Sequence, residues 1–113
     1  MINGINSREM ILEILLEIEE GEHSHVAIRN ALSKYQFLPK QDRAFITRVC
    51  EGTLEYRIQI DYIINSFSKV TVDKMKPAIR EILRSAVYQL KYMDSVPDSA
   101  VCNEAVKLAQ RKG

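Results

Sequence analysis

Apolar residues recur at intervals of three and four positions along most of the chain, and this spacing predicts α-helices. Asn6 and Glu9 have the spacing of a capping box at the start of the first helix, and Gly21 is positioned to end it. The apolar face between them consists of Ile11, Ile14, Leu15 and Ile18. Leu12 and Leu16 lie outside this face, so they either widen the core or form a patch on which another domain docks.

The middle of the chain predicts a short helix followed by a long one. Ser24 is positioned to cap the short helix, and Pro39 suits the first turn of the long helix. One apolar phase then continues to Phe67, which predicts a single helix that is bent, if anywhere, at Gly52. Glycine on this buried stripe costs about 1 kcal/mol relative to alanine, so we expect a neighbouring helix to approach its bare backbone. The stripe consists of Phe45, Val49, Gly52, Tyr56, Ile60, Ile63 and Phe67.

Two prolines mark the starts of the last two predicted helices. Pro77 and Pro97 each occupy a first-turn position ahead of a helical apolar pattern. The first of these helices is expected to bury Ile79, Ile82, Leu83, Ala86, Val87 and Leu90, and the second Val101, Ala105, Leu108 and Ala109. No strand-like alternation bounded by turn residues occurs, so the pattern predicts an all-α bundle of about five to seven helices.

Composition favours one globular domain over residues 1–113. The chain is 46% hydrophobic and 27% charged, which excludes a disordered chain. No apolar run is long enough to cross a membrane, and the amino terminus lacks the features of an export signal. We therefore expect a cytoplasmic protein with free thiols at Cys50 and Cys102. The net charge is +1, but residues 1–56 are acidic and residues 57–113 are basic, so an anionic partner should meet the second half.

The sequence offers little for catalysis or metal binding. Its four glycines are too far apart to form a phosphate-binding loop. His23 and His25 match no standard zinc spacing with the cysteines, so we predict no metal site and expect both histidines in water. Cys50 falls near core positions, which favours an inert buried thiol over a nucleophile. We predict no catalytic residue and no bound cofactor in this segment.

Basic residues provide the best functional pattern. One flank of the Pro77 helix repeats a cation every four residues beside an aromatic ring, which suits a phosphate backbone. The alternative is that these cations cover the core or pair with Glu81 and Glu104. Arg43 is a further candidate, unless it pairs with a neighbouring carboxylate while Asp42 meets the helix dipole. The predicted RNA contacts are Lys76, Arg80, Arg84, Tyr88, Lys91, Lys107, Arg111, Lys112 and Arg43.

Several motifs, taken in order, resemble those of NusB-like RNA-binding domains. They are Asp42-Arg43-Ala44-Phe45, Glu51-Gly52-Thr53-Leu54, Ile60-Asp61, the run from Arg80 to Leu90, Val96-Pro97 and the run from Val101 to Ala109. The resemblance extends from Asn6 to Lys112 and implies an all-α bundle of the NusB type. It implies RNA, and rRNA in particular, as a partner.

The family resembled here has two branches. Free-standing antitermination factors typically begin with an Arg-rich segment, whereas residues 1–22 here hold one arginine, Arg8, and six glutamates. The stretch from Gly52 to Arg57 looks more like the amino-terminal domain of the RsmB (Sun/Fmu) rRNA cytosine-5 methyltransferases. That resemblance implies a longer parent chain whose catalytic domain, beyond Gly113, binds S-adenosylmethionine and packs against this segment. The alternatives are an antitermination factor and a structural docking domain without RNA contact.

Overall fold

A computed structural model describes residues 6–112, and it is built from six α-helices over that range. The helices are α1 (Ser7–Glu19), α2 (Ser24–Lys34), α3 (Lys40–Glu55), α4 (Arg57–Phe67), α5 (Pro77–Tyr92) and α6 (Asp98–Lys112), with a 3₁₀ turn at Val72–Lys74. The predicted all-α bundle is confirmed. The amino-terminal segment discussed for export and the expected continuation past Gly113 lie outside the described residues.

Both predicted ends of α1 are confirmed. The Glu9 N–H donates to the Asn6 Oδ1 atom at 2.8 Å, which caps the helix start. At the other end Gly21 has a φ of +115°, a conformation that L side chains rarely adopt. The Gly21 and Glu22 N–H groups donate to the Ile18 and Glu17 carbonyls, which is the Schellman arrangement. The chain therefore turns sharply after α1.

The predicted cap of α2 is wrong by one residue. The residue preceding the helix is His23, and no side chain caps the first turn. Ser24 is already the first helical residue. The buried residues of α2 are Ala27 and Ile28.

The prediction of one long helix from Pro39 to Phe67 is also wrong. Tyr56, with φ −102° and ψ 21°, separates α3 from α4. The hydrogen bonds run on through the break, since the Tyr56 N–H donates to Gly52 and its carbonyl accepts from Ile60. The apolar phase persists because α3 and α4 both pack on α5, so periodicity cannot detect a bend at one residue. Phe67, at the end of the stripe, is 67% exposed.

The bundle is organised around α1 and α5. Helix α5 packs against α1, α3, α4 and α6, and α1 packs against α2, α3 and α5. Leu12 is buried against Ile82 and Leu108, and Leu16 packs on the same cluster. The interpretation that these two leucines of α1 widen the core is therefore confirmed, since they hold α5 and α6 to α1.

Helix α5 buries a polar strip beside its apolar one. The buried polar residues are Glu81, Arg84, Ser85 and Gln89. The Ser85 hydroxyl donates to the Glu81 carbonyl at 2.9 Å, and the Gln89 amide donates to the Ser85 carbonyl at 3.1 Å. Leu90, predicted to be buried, is 41% exposed because the side of α5 that it occupies is left uncovered. Ile79 and Leu83 are half-buried rather than buried.

The close approach predicted at Gly52 is confirmed. A Cβ atom built there would overlap the Tyr88 ring of α5. The neighbour is thus an aromatic side chain rather than a second backbone. The contact fixes the distance between α3 and α5, and Tyr88 is buried by it.

Candidate nucleic-acid interface

The basic flank predicted on α5 is divided in the structure. Lys76 precedes the helix and is exposed, and Lys91 is exposed at the other end with its Nζ atom 5.6 Å from the Tyr92 ring centroid. The two arginines between them, Arg80 and Arg84, turn toward carboxylates of other helices. The four cations therefore do not form one continuous surface.

Arg84 is the most enclosed of the predicted contacts. Its Nε and Nη2 atoms donate to the two Asp61 carboxylate oxygens at 2.8 and 2.9 Å, and its Nη1 atom donates to Glu81 Oε2 at 2.7 Å. The side chain is only 9% exposed. This bidentate geometry links α4 to α5 and occupies the guanidinium edges that a phosphate would need.

Arg80 links α5 to the end of α1. Its Nη2 and Nε atoms donate to the Glu19 carboxylate at 2.6 and 2.9 Å, and its Nη1 atom donates to the Val72 and Met75 carbonyls. These bonds hold the pKa of Glu19 well below its usual range. RNA contact by Arg80 or Arg84 stays a prediction, and a phosphate would have to displace these carboxylates.

Tyr88 lies within an aromatic cluster, under the surface. Its ring centroid is 5.4 Å from that of Tyr92 and 6.4 Å from that of Tyr56. The more accessible pair, Tyr56 and Tyr92, stack on each other at 4.5 Å, and the Tyr92 hydroxyl donates to Gln59 at 2.6 Å. RNA contact by Tyr88 stays a prediction; the residue is 6% exposed and is one of the lining residues of a groove along α3.

The cations predicted at the end of α6 lie on the surface. Lys107, Arg111 and Lys112 are all exposed. Their contacts with carboxylates are long: Lys107 lies 3.5 Å from Glu104, and Arg111 and Lys112 each lie 3.8 Å from Glu9. The cation of each pair is exposed and the distances are long, so these pairs are weak.

A groove of about 580 Å³ runs between the end of α6 and the start of α1. Its lining is Asn6, Arg8, Glu104, Lys107, Gln110 and Arg111. The Arg8 Nε atom donates to Gln89 at 3.2 Å, and the Arg8 guanidinium carbon lies 5.3 Å from the Phe45 ring centroid. Three cations against one carboxylate give this groove a positive balance, and the amino-terminal end of the α1 dipole adds to it.

Sequence reasoning did not select Arg8. It is one arginine among six glutamates in residues 1–22, and charge summed along that segment is strongly negative. The structure separates these charges: Arg8 faces α5 and α6, while Glu13, Glu17 and Glu20 face solvent elsewhere. The negative net charge of residues 1–22 therefore gave no sign that Arg8 belongs to a locally positive groove.

A second groove, of about 770 Å³, runs along α3 and has Gly52 and Tyr88 among its lining residues. Its charges are mixed, since three cations, Lys40, Arg43 and Arg48, line it together with two carboxylates, Glu51 and Glu55. This groove has less positive character than the one at α6.

Arg43, which also lines the α3 groove, pairs with no carboxylate, contrary to one of the two alternatives for it. Its Nη1 atom donates to the Leu32 and Tyr35 carbonyls at 3.0 and 3.2 Å, which satisfies the carboxyl end of α2. RNA contact by Arg43 stays a prediction.

The other reactive side chains are separated from one another. Cys50 is buried, and burial raises the pKa of its thiol, with the Glu51 charge as a smaller cause. His23 and His25 are exposed, with ring centroids 6.0 Å apart. Within residues 6–112 no three possible metal ligands lie together. No helix over the same range has the length and apolar character to cross a membrane.

Sequence comparison assigns this six-helix bundle to a family. The model of the NusB family matches residues 5–113. A transcription antitermination protein NusB of Acetivibrio thermocellus is 31% identical over 106 residues, covering 92% of this chain and 72% of that protein. The chain therefore belongs to the NusB family.

A second relative differs in length. A probable ribosomal RNA small subunit methyltransferase B of Bacillus subtilis is 31% identical over 106 residues, which cover 94% of this chain but 24% of that protein. This chain thus spans about a quarter of that curated relative. NusB of T. maritima has the same fold, with a TM-score of 0.82 at 23% identity over 95% of this chain and 76% of that one.

Proposed function

We propose that this chain is the RNA-recognition domain of an S-adenosylmethionine-dependent rRNA cytosine-5 methyltransferase. The observation that carries the proposal is the match of 94% of this chain to 24% of the Bacillus subtilis methyltransferase. The acidic exposed face of α1 agrees with it, because an antitermination factor would be expected to carry an Arg-rich segment there. The domain contributes binding, and methyl transfer and its cofactor belong to the remainder of a longer, cytoplasmic parent.

The groove between α6 and α1 supports a mechanism of positioning. Lys107, Arg111 and Lys112 have water around their charged ends and only weak pairs, so they can follow a phosphate backbone. Contacts with phosphates fix the register of an RNA without reading its sequence. In this mechanism the domain holds the rRNA while the catalytic domain, packed beside it, selects and methylates the base.

Steady-state kinetics of two variants of the parent enzyme test the proposal. The variant K107A/R111A/K112A should raise the KM for an rRNA fragment severalfold and leave kcat nearly unchanged, since it removes binding but no chemistry. The control R29A/K34A/K69A removes the same charge from exposed positions remote from α6. Equal KM values for both variants would contradict RNA recognition by the α6 groove.

A free-standing antitermination factor is the second candidate. The match to 72% of NusB from Acetivibrio thermocellus favours it, since this chain could be most of such a protein. The length of the native reading frame distinguishes the two. A frame of roughly 400 residues or more with an α/β region supports the methyltransferase, and one ending within about 30 residues of Gly113 supports the antitermination factor.

A further inference from the structure

Five charged side chains meet where α1, α4 and α5 come together. Two are guanidinium groups, Arg80 and Arg84, and three are carboxyl groups, Glu19, Asp61 and Glu81. With all five ionised, the cluster carries one negative charge in excess. An unbalanced charge is costly where water is excluded, and the usual remedy is to bind a proton.

Glu81 is the member for which that cost is highest. Its side chain is 4% exposed, whereas the side chains of Glu19 and Asp61 are each 21% exposed. Asp61 already receives two hydrogen bonds from Arg84, and Glu19 receives two from Arg80. Glu81 accepts one hydrogen bond, from Arg84 Nη1, at 2.7 Å, and Glu19 Oε2 lies 3.8 Å from the same nitrogen, so the two carboxyl groups share one side of this guanidinium.

Within residues 6–112, the ion pairs that reach Glu19, Asp61 and Glu81 come from Arg80 and Arg84, and no third cation is paired with these carboxyl groups. The 3₁₀ turn brings Asp73 toward Arg80, but this carboxylate is fully exposed to solvent. Helix α3 contacts α5 through Gly52, and its Arg43 is bound to backbone carbonyls. The cations of α6 lie instead near Glu104 and Glu9, as the ion pairs of residues 6–112 record.

We infer that Glu81 keeps a proton at neutral pH and donates it in a hydrogen bond to Glu19, so that the α1–α4–α5 junction loosens when that proton is lost. With this proton bound, the net charge of the cluster is zero, and the Glu81 Oε2 atom still accepts a hydrogen bond from Arg84. In this arrangement a carboxyl–carboxylate bond joins the end of α1 directly to the second turn of α5. Loss of the proton restores the excess charge and sets two carboxylates against each other.

The electrostatics of the two glutamates agree with this arrangement. Burial, followed by the neighbouring Glu19 carboxylate, raises the pKa of Glu81, while the bonds from Arg80 lower the pKa of Glu19. A carboxyl group with a raised pKa in the folded state binds more proton folded than unfolded. Its contribution to stability is therefore complete below the ordinary glutamate pKa of about 4.3 and is lost as pH rises toward the raised value.

The variant E81Q tests the inference, because glutamine resembles the protonated acid at every pH. Denaturant unfolding of the complete chain is measured for both proteins from pH 5 to pH 9. The folding equilibrium constant of the wild type should fall relative to E81Q by up to about tenfold per pH unit until Glu81 ionises in the native state. The control E13Q, on the exposed face of α1, should show no such divergence.

A direct titration keeps the inference testable even if E81Q does not fold. Carboxyl carbon NMR of the wild-type chain, with Glu81 assigned, should give a midpoint well above that of Glu13. A Glu81 midpoint at or below the ordinary glutamate value would overturn the inference, as would parallel pH profiles for wild type and E81Q.

Discussion

Replacement of Gly52 by alanine is expected to destabilise the bundle, although alanine is the better helix former. The new Cβ atom would overlap the Cζ, Cε1 and Oη atoms of Tyr88, closer than any real Cβ contact. The ring cannot yield easily, because it is 6% exposed and has the rings of Tyr56 and Tyr92 beside it. Accommodation therefore requires α3 and α5 to move apart.

Whether Gly52→Ala stabilises or destabilises the protein depends on the balance between helix propensity and overpacking. Alanine in place of glycine within a helix gains about 1 kcal/mol. Overpacking of a tight core costs about 1–3 kcal/mol, and this contact lies at the severe end of that range. We expect Gly52→Ala to lower the free energy of unfolding by about 1–2 kcal/mol, and Gly52→Leu to lower it further.

A double-mutant cycle isolates the contact with Tyr88. Tyr88→Leu removes the three ring atoms that the added methyl group would meet. In that background, Gly52→Ala should be neutral or stabilising by up to about 1 kcal/mol, because only the propensity gain remains. Asn103→Ala, on the exposed side of α6, checks that urea unfolding detects a propensity gain alone. A Gly52→Ala protein more stable than the wild type would refute the close-contact reasoning.

Two further substitutions test the roles assigned to the enclosed arginines. Arg84→Met should lower the free energy of unfolding by about 1–3 kcal/mol, because it removes both hydrogen bonds to the Asp61 carboxylate and the one to the buried Glu81 carboxyl group. Lys76→Met should change it by less than about 0.5 kcal/mol, and equal small effects in urea melts would rule out the structural role of Arg84. Arg43→Ala should lower the free energy of unfolding by about 1–3 kcal/mol, because it leaves two carbonyl groups at the end of α2 without their hydrogen bonds. RNA affinity should be unchanged. Weaker RNA binding at unchanged stability would instead favour a direct RNA contact.

Much of the fold could be predicted because local chemistry dictates it. Asn6, Gly21 and Pro77 act within their own helical turns, so their effects can be read from a few neighbouring residues. Tyr56 shows the limit. Its break changes the direction of the chain without shifting the apolar phase, since both flanking helices use α5 as their partner.

The candidate site was harder to predict, because side chains of like pattern meet different partners. The spacing of Lys76 and Arg80 places both on one predicted flank of α5. Arg80 nevertheless donates hydrogen bonds to Glu19, 61 positions away in the sequence, whereas Lys76 is exposed to solvent. Arg8 belongs to the basic groove because the fold places residues of α6 beside the start of α1. Tertiary contacts of this range leave no mark in the spacing of residues along the chain.

The dependence of rRNA binding on salt tests the central claim most directly. The logarithm of the association constant is measured against the logarithm of salt concentration for the complete parent protein, its K107A/R111A/K112A variant and the R29A/K34A/K69A control. The slope should become shallower by about 2 in the first variant, at about 0.7 per single-strand phosphate contact, and the loss of affinity should be similar for unrelated RNA sequences. A folded variant with the wild-type affinity and slope would contradict recognition of RNA by the groove between α6 and α1.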